Sequence, residues 1–363
     1  MACGMAYSSK YVDKLDNTYF TIMGDAETSE GSIWEAAGFA AHYNLNNMIA
    51  FIDVNRFGQG TESILKHDVE NHAKRFEAFG WETTIIDGHC VEEIVEALKK
   101  GRKSLDKPFC VIAKTLKGKN FAPGIEDDVK WHGKILGKTA ELTINSLKSK
   151  IRNLDMKLVP RMPTKLTPEQ EDNCKPQVLM TLGNLGYKKG QEVASRVGVG
   201  NALKKLGSKG HSDIFVLDCD IKNSTNTVVF AENHPEQFVE CFIAEQNMIS
   251  VAMGLSARGK VTFSNTFGAF MTRAYDQIRM AGISKANLKL HGSHAGVSVG
   301  EDGPSQMGLE DLSLYKPIPG MSILYPSDAV SAERAVEISA NTNGLFYIRS
   351  SRPAMPVTKF INL

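Results

Sequence analysis

Residues 18–59 read TYFTIMGDAETSEGSIWEAAGFAAHYNLNNMIAFIDVNRFGQ, and their pattern decides the fold. The apolar, β-rich run 18–23 predicts a strand, closed by the turn Gly24-Asp25. A helix is expected from about Ser32, where Ser32 and Glu35 have capping-box spacing. Ile33, Ala36, Ala37 and Ala40 would form its apolar face. The run 48–54, MIAFIDV, is continuously apolar and reads as a buried parallel strand. Strand, helix and strand make one β-α-β crossover, which is right-handed almost without exception.

The same alternation extends outward. A helix (70–79), a strand (83–86), a helix (91–100) and a strand (109–113) are expected next. It stops between about 151 and 177, where Pro160, Pro163, Pro168 and Pro176 fall among scattered charges, as in a linker. Beyond it strands are expected at 214–217, 238–243, 261–263, 288–291, 321–324 and 345–348, with helices at 246–258, 267–282 and 329–340. The reading is an α/β protein of two successive domains with mostly parallel sheets and helices on both faces. Residues 1–150 form the first domain, 151–185 the linker and 186–363 the second. Met1–Tyr7 reads like the middle of a helix.

The chain has 363 residues, with 42 Lys+Arg against 41 Asp+Glu. Length alone suggests about two domains. The near-zero net charge gives no footprint for nucleic acid. No apolar run reaches the roughly 18 residues of a membrane helix, and the first residues lack a signal-peptide core. The six cysteines (Cys3, Cys90, Cys110, Cys174, Cys219 and Cys241) stand singly, like reduced thiols of a cytoplasmic protein.

Chemistry collects first at Gly24-Asp25 and at Asp53-Val-Asn55-Arg-Phe-Gly-Gln59. Asp25 and Asn55 lie 30 residues apart, each just past the carboxyl end of a strand, where ligands of open α/β sheets bind. A carboxylate and an amide oxygen are hard ligands suited to Mg²⁺ or Ca²⁺. The turn's N–H groups and the helix start would favour a diphosphate. The plainer alternative is that Asp25 caps a turn and Asn55 closes a strand.

The longer match GDAETSEGSIWEA, followed by NNMIAFIDVNRFGQ, resembles the thiamine diphosphate motif of transketolases. AFGW (78–81), DGH (87–89), AKTLKGK (113–119), WHGK (131–134), IAEQNMIS (243–250), NTFGAFMTRAYDQIRMA (265–281), GSHAGVSVGEDGPSQM (292–307), YPSDAV (325–330) and IRSSRP (348–353) resemble further blocks in family order. The resemblance implies a diphosphate-binding and a pyrimidine-binding domain, and two-carbon ketol transfer from a ketose phosphate to an aldose phosphate. It implies thiamine diphosphate with Mg²⁺ or Ca²⁺, held in a homodimer between one subunit's first domain and its partner's second.

Matched positions carry expected roles. Glu245 is the acid at the pyrimidine, which needs a carboxyl that shares a proton with ring nitrogen N1′; burial beside an aromatic ring favours that form. Phe267 and Phe270, three apart on one helix face, pack the pyrimidine. Gly24, Asp25, Ala26, Asn55, Gln59, Lys117 and Gln306 complete the cofactor site, with Asp25, Asn55 and the Phe57 carbonyl on the metal. His132 and His294 are expected at the reacting centre, and Arg196, Ser224, Asp302 and Arg352 on the sugar phosphate. Arg offers a planar fork for phosphate oxygens. Read singly, most of these residues have ordinary structural uses; Arg349 suits a structural pair, and His42, His67, His72 and His211 receive no role.

Two substitutions depart from the family pattern. Ala26 stands where a second Gly is usual, and a Cβ there penalises positive φ and crowds a phosphate. Cys219 stands between Asp218 and Asp220 where the family has Gly. The resemblance also implies an N-terminal stretch with several histidines and a Gly-rich turn, and a third domain, none of which has a match here. The first domain is therefore expected to have an incomplete core and an exposed edge. A catalytically inactive, partner-binding relative is the alternative expectation.

Overall fold

A computed structural model describes residues 1–152, 157, 159 and 180–358. The four prolines of the expected linker, and Cys174, lie outside them. The chain forms two compact units. One holds residues 9–152; the other holds Cys3–Ser8 together with residues 180–358.

Helix α1 (Ala2–Tyr7) continues into a wider π turn at Ser8–Val12. Next come β1 (Tyr19–Gly24), α2 (Gly31–His42), β2 (Met48–Val54), α3 (Val69–Ala78), β3 (Glu82–Asp87), α4 (Val91–Gly101), β4 (Phe109–Lys114) and α5 (Ala140–Lys148). The four strands make one sheet in the order β1-β2-β4-β3, parallel throughout. Ile49, Phe109 and Val111 meet Ala97 of α4 in its core. β1 stands at the edge, with Phe20 and Ile22 exposed. The capping box does not form. Helix α2 begins one residue earlier, at Gly31, behind Glu30, and no side chain caps it.

The second unit follows with β5 (Glu192–Ala194), α6 (Ser195–Ser208), β6 (Ile214–Asp218), β7 (Phe238–Glu240), α7 (Glu245–Ala257), β8 (Val261–Phe267), α8 (Gly268–Met271), α9 (Tyr275–Ile283), β9 (Leu288–Ser293), β10 (Met321–Leu324), α10 (Ala329–Asn341), β11 (Leu345–Arg349) and β12 (Ala354–Pro356). Six strands make a parallel sheet in the order β10-β11-β9-β8-β6-β7. β5 and β12 pair antiparallel. Val199, Leu203 and Leu206 of α6 and Ala332 and Val336 of α10 close over Ile214, Val216 and Phe263. The central strands β8 and β9 are buried along their whole lengths, as expected for strands covered on both faces.

Helix α1 packs on α7 of this second unit. A Cβ on Gly4 would lie 2.0 Å from the Val251 carbonyl oxygen, and one on Gly254 would lie 2.1 Å from that of Met1. The two glycines let the backbones touch, which no larger residue allows.

Two expectations change here. The helix expected over 267–282 is two α segments joined by a 3-10 turn at Thr272–Ala274. The strand expected over 238–243 stops at Glu240, because Phe242 takes a left-handed φ of +59°.

Candidate cofactor and sugar-phosphate sites

In the first unit, Asp25 follows β1 and Asn55 follows β2, adjacent strands in register Gly24 to Asp53. Asp25 is 2 % exposed. One carboxylate oxygen accepts from Ser63 Oγ; the other, Oδ1, is buried without a partner among the described residues. Burial raises the Asp25 pKa, against the Ser63 hydroxyl, and Asp53 adds to the rise. A divalent cation at Oδ1 would relieve both costs. Asn55 Nδ2 donates to Asp53 at 3.0 Å, so Oδ1 is the acceptor; it takes the Phe57 N–H at 3.0 Å and keeps a second lone pair. Oxygen-only ligands of this kind fit Mg²⁺ or Ca²⁺.

The loop carrying these residues is fixed from behind. Asp53 accepts from Thr115 Oγ1 just past β4. Arg56, at φ +66°, forks to Asp127 at 2.9 and 3.1 Å and reaches Glu62 at 2.5 Å. The fork ties the loop after β2 to the loop holding Lys117 and His132. These two meet, Lys117 Nζ lying 3.3 Å from His132 Nδ1 at the surface. Gln59 is exposed in the loop after β2.

The turn itself differs from expectation. The Gly24 N–H is not open to an anion: it donates to the chain's own Glu27 carboxylate at 2.5 Å. The donor does suit an anion, but Glu27 must yield before a diphosphate takes it. Ala26 opens a 3-10 turn and has no positive φ, so its Cβ causes no backbone strain.

In the second unit, Glu245 is the first residue of α7 and is 5 % exposed. Arg273 Nε lies 3.8 Å from its Oε2, on an exposed side chain. Phe267 and Phe270 do not share a helix face. Phe267 ends β8 and Phe270 lies in α8, yet their rings stack at 4.9 Å and 14°. On the other side His294 stacks on Phe267 at 3.8 Å. His294 is buried at φ +56°, a region few non-glycine residues occupy unless the surroundings hold them there. Burial, helped by Arg196 and Arg352, lowers its pKa to about 4.

The expected sugar-phosphate residues also come together, in pairs. Arg196 near the start of α6 donates from Nη1 to the Ser224 carbonyl at 2.5 Å. Its Nε is buried without a partner among the described residues, and burial and Arg352 both lower its pKa. Arg352 donates to the Val299 carbonyl at 2.5 Å, to Asp302 at 3.1 Å and to Glu301 at 3.0 Å. An anion beside Arg196 would satisfy Nε and ease the repulsion between the two guanidinium groups. Gln306 ends a 3-10 turn in a loop closed by the Ala295–Gly308 bridge. Arg349 forms the structural pair expected of it, with buried Asp311 at 2.8 Å.

Sequence reading missed Ser63 and Arg273. Ser63 lies 38 residues from the carboxylate it touches, and no local spacing marks such a contact. Arg273 lies in the break between helical segments, which periodicity does not show. Asp218 also went unassigned: it is buried at the end of β6, and burial pushes its pKa up to about 7 despite hydroxyl donors from Thr225 and Thr227.

Two parallel-sheet units, with a carboxylate-amide turn in one and an acid, stacked rings and paired arginines in the other, define an α/β protein of two successive layered units. Residues 3–157 match the transketolase thiamine diphosphate binding domain, and residues 191–358 the transketolase pyrimidine binding domain. The chain belongs to the transketolase family. It is 48 % identical over 359 residues to transketolase-like protein 2 of Mus musculus, covering 98 % of this chain and 56 % of that protein. With transketolase of Homo sapiens it shares 47 % over 356 residues, covering 97 % and 55 %. The chain thus spans about half the length of these relatives. Its fold matches transketolase from Leishmania mexicana at a TM-score of 0.82 and 18 % identity, covering 98 % of this chain and 60 % of that one.

Proposed function

We propose that this chain takes part in transfer of a two-carbon ketol unit from a ketose phosphate to an aldose phosphate, with thiamine diphosphate and Mg²⁺ or Ca²⁺. The observation that carries the reading is the buried, unpartnered Asp25 oxygen at the strand edge beside Asn55. Asp25, Asn55 and the Phe57 carbonyl would hold the cation. Gly24, Ala26, Gln59, Lys117 and Gln306 would serve the cofactor, with Phe267 and Phe270 against its pyrimidine. Bound there, thiamine diphosphate supplies an electron sink for breaking a C–C bond beside a carbonyl.

The chain's own residues do the rest. Glu245 holds and returns a proton at its carboxyl group, with Arg273 positioned to stabilise the ionised form. His132 and His294 hydrogen-bond the sugar. Neutral His294 offers a nitrogen lone pair at working pH, since its pKa is lowered. Arg196 and Arg352 bind the phosphate, with Ser224 and Asp302 fixing their geometry. A homodimer is part of the reading, with the cofactor between one subunit's first domain and its partner's second.

The test is ketol transfer by the purified chain with cofactor and Mg²⁺. Glu245→Ala should abolish turnover while calorimetric cofactor binding stays within a few-fold. Unchanged turnover in that variant would sink the role. The Glu27 carboxylate on the Gly24 N–H favours a second reading, a catalytically inactive binding protein. Absence of cofactor binding with and without Mg²⁺ would decide for it.

A further inference from the structure

Three fully buried polar side chains connect across the second sheet: Asn265 on β8, His291 opposite it on β9, and Ser350 just past β11, two residues beyond the one paired with His291. Asn265 Nδ2 donates to the Leu217 and Phe263 carbonyls, both at 2.9 Å. Both amide hydrogens are thereby used, so Oδ1 is the acceptor in its 2.9 Å contact with His291 Nδ1. His291 Nδ1 therefore carries the proton. Burial, His294 and Arg196 keep the ring neutral, so Nε2 is left as an acceptor. Ser350 Oγ, 2.7 Å away, donates to it. Every donor and acceptor in the row is fixed by its neighbour.

The row ends at the phosphate arm. Ser350 precedes Ser351 and Arg352. The Ser351 N–H donates to Ser195 Oγ at 2.9 Å, and the two hydroxyls lie 3.2 Å apart. Ser195 precedes Arg196. The Ser350 side chain is thus tied to the core strands, while its neighbour in the turn is tied to the helix that carries the other arginine.

We infer that His291 is a positioning residue for the substrate phosphate: through Ser350 it fixes the turn that sets Arg352 beside Arg196. The inference rests on the sugar-phosphate reading above. It assigns His291 no contact with substrate. Ordering the turn before binding removes an entropic cost from the complex, and only a ligand that engages the arginines gains from it.

The whole chain is titrated calorimetrically with ribose 5-phosphate and with ribose, with thermal unfolding measured in parallel. Arg352→Ala should remove most of the extra affinity conferred by the phosphate. Ser350→Ala and His291→Asn, which keeps a donor toward Asn265 but falls short of Ser350, should each weaken ribose 5-phosphate binding about five- to thirty-fold. Ribose binding should not change. Ser350→Thr, which keeps the hydroxyl, should restore the phosphate ester to within about twofold of wild type. If Arg352→Ala weakens the ester while Ser350→Ala and His291→Asn stay within twofold of wild type, the positioning role is wrong and the sugar-phosphate reading survives. Equal weakening of ester and ribose also overturns it, as general damage to the fold. No ester binding, or none that depends on Arg352, overturns both.

Discussion

The charged form of Asp25 is costly, since burial raises its pKa and Oδ1 has no hydrogen-bond partner among the described residues. Asp25→Asn removes that charge but keeps the shape. Without metal the variant should be more stable than wild type, by on the order of 1 kcal/mol, and saturating Mg²⁺ should no longer raise its melting temperature. A less stable variant that still responds to Mg²⁺ would count against the site. His291 makes a prediction of opposite kind. Its native pKa, about 3, lies below the ordinary histidine value, so the unfolded chain takes up the proton first. Its stabilising contribution is full above about pH 6.5 and falls as pH drops toward 3, by about 2 kcal/mol at pH 5. Urea unfolding at pH 5 and pH 7.5 should show this loss in wild type, and a loss smaller by that amount in His291→Asn.

At the scale of elements, the α1–α7 contact depends on two glycines. Gly4→Ala would put a methyl carbon against the Val251 carbonyl and force the helices apart, costing about 1–3 kcal/mol. Thermal unfolding checks it; an unchanged melting temperature would show that α1 does not hold this position. Elements with one plain apolar signal were legible in sequence. The expected strands 48–54 and 321–324 match β2 and β10 residue for residue. Strand 261–263 was read four residues short, because Ser264, Asn265 and Thr266 are polar yet buried. Helix α6 was not read at all. Its glycines look like turn signals, but Gly198 and Gly200 serve close approach: their Cβ atoms would meet the Ala329 and Asn226 carbonyls at 2.7 and 2.2 Å. Of the candidate sites, the residue types and strand ends were legible. The pairing of Arg196 with Ser224 and of Asp25 with Ser63 needs a folded chain.

For the whole molecule, the two α/β units were legible, but the place of the first helix was not. Nothing in ACGMAY tells which unit accepts it. Among the described residues no helix is long and apolar enough to cross a membrane. Residues 9–152 form one unit, while the segments on both sides of them, Cys3–Ser8 and 180–358, fold together into the other. In topological terms the first unit is a parenthesis opened and closed inside the second. A cut in the irregular stretch between Val12 and Tyr19 would open one bracket and leave a short peptide, α1 and the π turn after it, held by non-covalent contacts. The rate at which that peptide leaves the nicked protein on dilution, followed by mass, would time the contacts of α1 and the turn after it, apart from global unfolding.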